Sequence, residues 1–381
     1  MATWLPKVRV AACNVAPVFL DTAKTVQKTV GLIQEAARNK ADLVAFPEVH
    51  IPGYPLWAAV AAPIDNHNLF GRLAEQSLLI NGKEMRTLRQ ACAQSHIFAH
   101  IGFNERSPVS VGCLWNSSVL ISDEGKILCH HRKLMPTFYE KLTWSPGDGA
   151  GLKVVDTGRC GKVGGLICGE NTNPLARWSL MAQGEQLHIT SWPAVWPTRR
   201  LTGGGKQYDN LAANLTRTSA QCFEGKIFSV MCSGYMDKSM KGLTVDVDTI
   251  VKHSHSAAEI LDSLTQGASL FLDPTGAQIG EHIQGEEGIV YAPMDLNECV
   301  EPKQFHDVVG GGYQRYDVFD LNVTRIRQSA ECALRPVQEP ELDNLAFQHD
   351  GASDLPEQPA SISGGLTGTG GSADPGGLKT T

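Results

Sequence analysis

Three observations predict an α/β fold. Short apolar strand-like runs alternate with helix-like segments along most of the chain, Pro and Gly signals punctuate them, and the same alternation recurs in the second half. Residues 8–14 read as an apolar strand. Residues 22–38 carry helical spacing at Val26, Val30, Ile33 and Ala37 behind an Asp21 cap. Residues 43–46 form a short buried strand stopped by Pro47, and 85–95 a helix. Strands at 97–103, 116–122 and 127–131 follow, the last two joined by a turn at Asp123-Glu-Gly125. A further small apolar run leads into Cys168, after which Pro174 opens a helix to residue 183. Residues 187–190 and 227–232 are strands flanking a helix over 208–223, and 269–272 with 288–294 read as a last hairpin. No internal sequence repeat is visible.

Composition narrows the function classes. A chain of 381 residues buries a large core, and 42% hydrophobic with 19% charged residues is ordinary for a soluble enzyme. A net charge of −7 without a basic cluster argues against a nucleic-acid partner. The N-terminus has no apolar signal-like region, and no run approaches the ~18 apolar residues of a membrane span, which predicts an unsecreted, cytoplasmic protein with no membrane partner. None of the ten cysteines forms a C-x-x-C pair, as expected of free thiols in a reducing compartment. His130-His131 and His253-Ser-His255 lack Cys or carboxylate companions at ligand spacing, so no metal is expected. From Gly351 the chain is rich in Gly, Ser, Thr and Pro. The expected organisation is one folded domain over 5–325, an extended arm over 326–350 and a disordered tail over 351–381.

Candidate chemistry concentrates in three segments. The run Val163-Gly-Gly-Leu-Ile-Cys168-Gly-Glu-Asn171 delivers a thiol to a sharp strand-to-helix corner, where the positive end of a helix dipole would draw it toward the thiolate. An inert core cysteine fits the same run. Glu48 follows a buried strand and a proline; partial burial there would raise its pKa and suit it to general-base work, although a Glu satisfied by an Arg or by turn amides fits equally. Lys133 ends the third strand of its group. It is either a surface lysine or a cation beside the thiol able to stabilise an anion on substrate. Glu140, seven residues on, either orients that lysine or pairs with Lys141 at the surface.

Taken together, LVAFPE with Ile-Pro-Gly-Tyr-Pro, HRKLMPTFYEKLTWSPGDG, and GLICGENTNPLAR followed by GEQLHITSWP resemble three motifs of the nitrilase branch of the carbon–nitrogen hydrolase superfamily, in order and in register. The resemblance covers roughly residues 5–320. It implies a four-layer α-β-β-α sandwich and a catalytic set of Cys168 as nucleophile, Glu48 as general base, Lys133 as stabilising cation and Glu140 as accessory carboxylate, with no cofactor. The implied reaction converts an organic nitrile to a carboxylic acid and ammonia; an amidase of the same superfamily and a hydratase giving the amide are the alternatives. Relatives of this kind build spirals or filaments from dimers, so a homo-oligomer is expected, with the arm over 326–350 at a subunit contact.

Departures from the family pattern bear on the substrate. Gly169 stands where Trp is common, Lys141 where Arg is common, and Gly312 where a His usually precedes the Tyr. Motif proximity makes Tyr54, Phe138, Trp144, Gly169 and Trp192 the candidate pocket, an apolar and partly aromatic wall suited to an uncharged aliphatic or aryl-bearing nitrile. Gly169 is expected to leave space beside the nucleophile, and each aromatic fits simple core packing as well.

Overall fold

The computed structural model describes residues 4–199, 205–206, 208–245, 257–310 and 313–328. The chain divides into two units, Met1–Leu342 and Asp343–Thr381, and every described residue belongs to the first. The tail over 351–381, the arm beyond residue 328 and the His253/His255 pair lie outside the described residues.

Strands β1 (Lys7–Asn14), β2 (Leu43–Ala45), β3 (Phe98–Arg106), β4 (Leu114–Ile121) and β5 (Ile127–Arg132) run in order through a first sheet. A second sheet holds β6 (Val155–Asp156), β7 (Lys162–Ile167), β8 (Leu187–Trp192), β9 (Phe228–Ser233), β10 (Ala268–Leu272) and β11 (Gln278–Gln284), and β12 (Gly288–Asp295) returns to the first sheet beside β1. Both sheets show the same pairing from edge to edge: antiparallel, parallel, parallel, antiparallel, antiparallel. The halves thus share a topology although no sequence repeat is visible.

Helices α1 (Thr22–Arg38), α2 (Trp57–Val60), α3 (His67–Glu75), α4 (Lys83–Ser95), α5 (Pro174–Met181), α6 (Asn210–Gly225), α7 (Lys238–Val245) and α8 (Ala257–Asp262) complete the described elements. Asp21 caps α1 as expected, accepting the Lys24 N–H at 3.0 Å. Three cores define the layers. Val26, Ile33, Met85 and Leu88 of α1 and α4 pack on Val44, Ile101 and Val119 of the first sheet. Val10, Leu43 and Phe98 face Val163, Ile189 and Phe228 between the sheets. Ala176 and Leu180 of α5 pack on Leu166, and Cys222 of α6 on Trp192 and Met231, over the second sheet. The result is the α-β-β-α sandwich.

One expected pairing is not found. Residues 269–272 turn through Asp273, whose carboxylate accepts the Thr275 and Ala277 N–H groups, into β11, while β12 crosses to β1. The segment Gln-Ile-Gly-Glu-His-Ile-Gln of β11 is a largely exposed edge strand and carries no apolar run. The short helices α2 and α3, of 4 and 9 residues, are also absent from the elements expected above.

Candidate active site

Four strand ends converge on the site. Glu48 follows β2, Lys133 follows β5, Cys168 follows β7, and Trp192 ends β8. The Glu48 N–H donates to the Trp192 carbonyl at 3.3 Å, joining the two sheets at this point. Gly102 on β3 permits the close approach, since a Cβ there would stand 2.2 Å from the Pro47 carbonyl oxygen. Ligand sites at the carboxyl ends of parallel strands are the general expectation for open α/β sheets.

Lys133 Nζ lies 2.8 Å from Glu48 Oε1 and 2.7 Å from Glu140 Oε2, with all three side chains essentially inaccessible. Asn116 Nδ2 also donates to Glu48 Oε1 at 2.7 Å, and the Lys133 N–H donates to the Asn116 carbonyl, so one β4 residue positions both. Glu140 is held further by the Tyr54 hydroxyl at 2.7 Å and the Thr137 N–H at 2.7 Å. Glu48 Oε2 has no hydrogen-bond partner. A carboxylate oxygen buried and unbonded in this way is available to an incoming proton.

Burial pushes Glu48 up to about 7, helped by the Glu140 charge and opposed by Lys133 and Asn116. Burial alone would lower the Lys133 pKa, but the acidic groups around it, Cys168, Glu140 and Glu48, outweigh it and hold the ammonium well above its ordinary value. Glu48, Glu140 and Cys168 each offer a ligand atom within 4.8 Å of the others, the only such group among the described residues. The Lys133 ammonium, bonded to both carboxylates, supplies the positive charge a metal would bring. His130 and His131 do not form a metal pair: one bonds Glu105 and the other Glu170.

The cysteine corner is built by residues that sequence reading named without a role. Cys168 opens a 3-10 turn, Cys168–Thr172, with φ +52°, a strained conformation for a residue with a Cβ. Val49 (φ +45°) and Phe138 (φ +53°) share that strain beside the other two motifs. Glu170 accepts the Ile167 N–H at 2.8 Å, the Leu134 N–H at 2.5 Å and a bond from His131 at 2.9 Å, tying the corner to the residue after Lys133. Asn171 Nδ2 donates to the Cys168 carbonyl at 2.9 Å, and its Oδ1 meets His188, which pairs with Glu185. The Gly-Glu-Asn string was the visible signal; its partners sit on other strands and were not.

Helix α5 does begin at Pro174, but it stands beyond the 3-10 turn and does not make a standing thiolate. Burial pushes the Cys168 thiol well above its ordinary value; nearby Glu48 adds to this and Lys133 opposes it. The Cys168 sulfur lies within 4.8 Å of a Glu48 carboxylate oxygen.

The expected pocket residues separate into three kinds. Tyr54, Trp144 and Trp192 are buried: Tyr54 stacks edge-on against Trp144 at 5.6 Å, Trp144 Nε1 donates to Asn104, and Trp192 Nε1 donates to Thr190. Phe138 is 65% exposed, and the buried ring is its neighbour Tyr139. The positive φ at Phe138 turns it outward, which the motif alone did not reveal. Gly169 does not leave free space, because a Cβ there would lie 2.8 Å from Thr137 Oγ1, on the residue that supports Glu140.

Known proteins match this arrangement. A nitrilase of Penicillium rubens is 33% identical over 320 residues, covering 83% of this chain and 93% of the relative. An arylacetonitrilase of Hypocrea virens is 34% identical over 340 residues, covering 88% and 96%. The crystal structure of Saccharomyces cerevisiae Nit3, a member of branch 10 of the nitrilase superfamily, superposes with a TM-score of 0.59 at 21% identity, over 82% of this chain and 97% of that one, and supports the shared fold. The carbon-nitrogen hydrolase family model matches residues 9–304, and the chain belongs to that family.

Proposed function

We propose that this protein is a nitrilase converting an organic nitrile to the carboxylic acid and ammonia, with Cys168 as nucleophile, Glu48 as general base, Lys133 as the cation and Glu140 as its orienting carboxylate. The observation that carries the reading is the clustering of the thiol and both carboxylates within 4.8 Å around a buried lysine. Relatives named nitrilase and arylacetonitrilase support it.

The chemistry follows from the charges. Glu48, poised near neutrality, takes the Cys168 proton as sulfur bonds the nitrile carbon; one C≡N π pair moves to nitrogen, which Lys133 stabilises, and Glu48 passes the proton to that nitrogen, giving a thioimidate and restoring its own carboxylate. Glu48 then deprotonates a water that adds to the same carbon. The nitrogen is protonated, the C–N bond breaks and ammonia leaves an acyl-enzyme. A second water breaks the C–S bond, releasing the acid and restoring the thiol. Two waters are consumed per nitrile. If the tetrahedral carbon instead expels sulfur, one water is consumed and the amide is released.

Assembly and compartment belong to the same reading. The arm over 326–350 is proposed to continue from residues 325–328, which are tied to the body by Arg325 to the Leu152 carbonyl and Arg327 to Asp148, into a contact between copies larger than a dimer. The nine described cysteines are all free thiols, which fits a reducing compartment, and no described helix is long and apolar enough to cross a membrane. Incubation with aliphatic and aryl nitriles and with cyanide, measuring ammonia, acid and amide together, tests the reaction. Acid with equimolar ammonia is expected; ammonia release from amides only, or no turnover of any nitrile, overturns it.

A further inference from the structure

The wall around Cys168 contains a cation that the chemistry above does not use. Arg217 projects from α6, the helix whose Leu211 and Leu215 pack on the cluster that holds Cys168 and Trp192. Its guanidinium lies 5.4 Å from the centre of the Trp192 ring and 5.7 Å from that of Tyr208, and donates to the Tyr208 hydroxyl. Its charge reaches the nucleophile, where it opposes the upward push of burial on the Cys168 thiol. Among the described residues no carboxylate pairs with it. A guanidinium has five N–H donors, and one hydroxyl oxygen does not satisfy them.

The rings beside it continue the surface. Tyr208 meets Trp196 edge-on at 5.3 Å, and Trp196 stacks on Tyr139 at 5.6 Å. Trp196 Nε1 is buried without a hydrogen-bond partner, and the Tyr139 hydroxyl, bonded to Tyr54, feels the acidic groups Glu140, Cys168 and Glu48. From Arg217 to Tyr139 the arc therefore sets the spare donors of Arg217 and Trp196 among aromatic faces. Tyr208 also lines an open cavity of about 830 Å³, together with Arg199, Lys206 and Asp209, whose carboxylate caps α6.

We infer that the arc from Tyr139 through Trp196 and Tyr208 to Arg217 is a recognition surface for nitriles that carry a carboxylate, with the carboxylate on the Arg217 guanidinium and the cyano group at Cys168. This rests on the proposed function and refines it: the uncharged nitrile expected from motif proximity gives way to an anionic one. A planar carboxylate matches the guanidinium fork in a way that an amide or ester does not. The chemistry at Cys168 is unchanged; Arg217 selects the substrate and places it.

The test compares cyano-carboxylates with a short alkyl or phenylene spacer against the corresponding cyano-carboxamides and methyl esters. In the parent protein kcat/KM for the acids exceeds that for the neutral isosteres by about 10-fold or more, chiefly through KM. Arg217→Met brings that ratio to about 1, and Arg217→Lys restores part of it. Because a substituted α6 residue can disturb folding, a second measurement uses the Cys168→Ala protein: calorimetry is expected to show tighter binding of the cyano-carboxylate than of its carboxamide, with the difference shrinking as salt rises. Hydrolysis of neutral nitriles with no preference for the acids, or equal binding of acid and amide, overturns the inference while leaving the proposed function standing. No hydrolysis of any nitrile overturns the function instead.

Discussion

Glu48 and Glu105 are both fully buried and both answer to cations at the end of β5, yet their surroundings drive them apart. Glu105 receives Arg132 on both oxygens, at 2.5 and 3.0 Å, with His130 at 2.9 Å and the Ser117 hydroxyl at 2.6 Å. Burial would raise its pKa, but His130 and Arg132 outweigh that and hold it well below the usual carboxylate range. Glu48 shares a single cation, Lys133, with a second carboxylate, and one of its oxygens is unbonded. Burial then wins, and the group rests near neutrality. The difference teaches that burial alone does not make a base. What matters is whether the donors around a carboxylate are exclusive, as at Glu105, or divided, as at Glu48.

The alternation of β5 creates both environments from adjacent residues. His130 and Arg132 point to Glu105, whereas His131 points to Glu170 and Lys133 to Glu48. The Arg132 side also carries the ring of Trp115 at 3.7 Å and a bond to the Gln328 carbonyl, so it serves as an anchor for the chain beyond the last strand.

The largest expected effect separates the two glutamates by rate. Glu48→Gln is predicted to lower kcat at least about 10²-fold, the usual scale for loss of a general base. Its stability should move the other way. A carboxylate whose folded-state pKa is raised contributes fully below its unfolded value and loses that contribution as pH rises through the folded one, here between about 4.5 and about 7. The melting temperature of Glu48→Gln relative to the parent is therefore expected to be higher at pH 8 than near pH 4. A Glu48→Gln protein that keeps its rate would break the comparison.

Glu105→Gln should do the reverse. It leaves Arg132 buried against a neutral partner, at a cost of about 3–5 kcal/mol of stability at pH 7, read as a lowered melting temperature. Because the Glu105 pKa is depressed, its stabilisation is complete above the ordinary carboxylate value and is lost as pH falls toward the folded one, so the parent's acid unfolding should draw on this cluster. Equal melting of parent and variant at pH 7 would show that the Arg132 contacts carry no weight.

A smaller effect sharpens the argument. Activity of the parent is expected to rise with pH through about 7 as Glu48 ionises. Glu140→Gln removes the like charge and leaves Lys133 to Glu48 alone, so the acid limb of kcat/KM should shift downward by about one pH unit, beside a loss of rate from a less constrained Lys133. An unmoved limb would mean that Glu140 does not act through Glu48.

Much of this was legible in the residues. Helix α1 has the bounds that Asp21 and the spacing of Val26, Val30 and Ile33 predict, and β2 and β7, which lead to Glu48 and Cys168, have short apolar runs. Glu48, Lys133, Glu140 and Cys168 each sit at a strand end or a sharp turn that local signals mark. Their supports did not announce themselves, because Asn116, Glu170, Tyr139 and Arg217 act across elements distant in sequence. The Phe138-Tyr139 pair illustrates the limit: only the backbone angle at Phe138 decides which ring is buried. The same holds for Gly169, where the neighbouring side chain of Thr137 fills the space that a missing side chain suggests.

The central claim is that covalent chemistry occurs at Cys168 under the control of Glu48. Its most direct test is peptide mass spectrometry of the parent protein quenched in acid during turnover of a nitrile, alongside Glu48→Gln, in which the adduct should form at least about 10²-fold more slowly, and Cys168→Ala. The account predicts an added mass equal to the nitrile, or to the derived acyl group, on the peptide containing Cys168, and no adduct and no turnover in Cys168→Ala, a loss on the order of 10⁴-fold or more. An adduct on another cysteine, or sustained hydrolysis by Cys168→Ala, would contradict it.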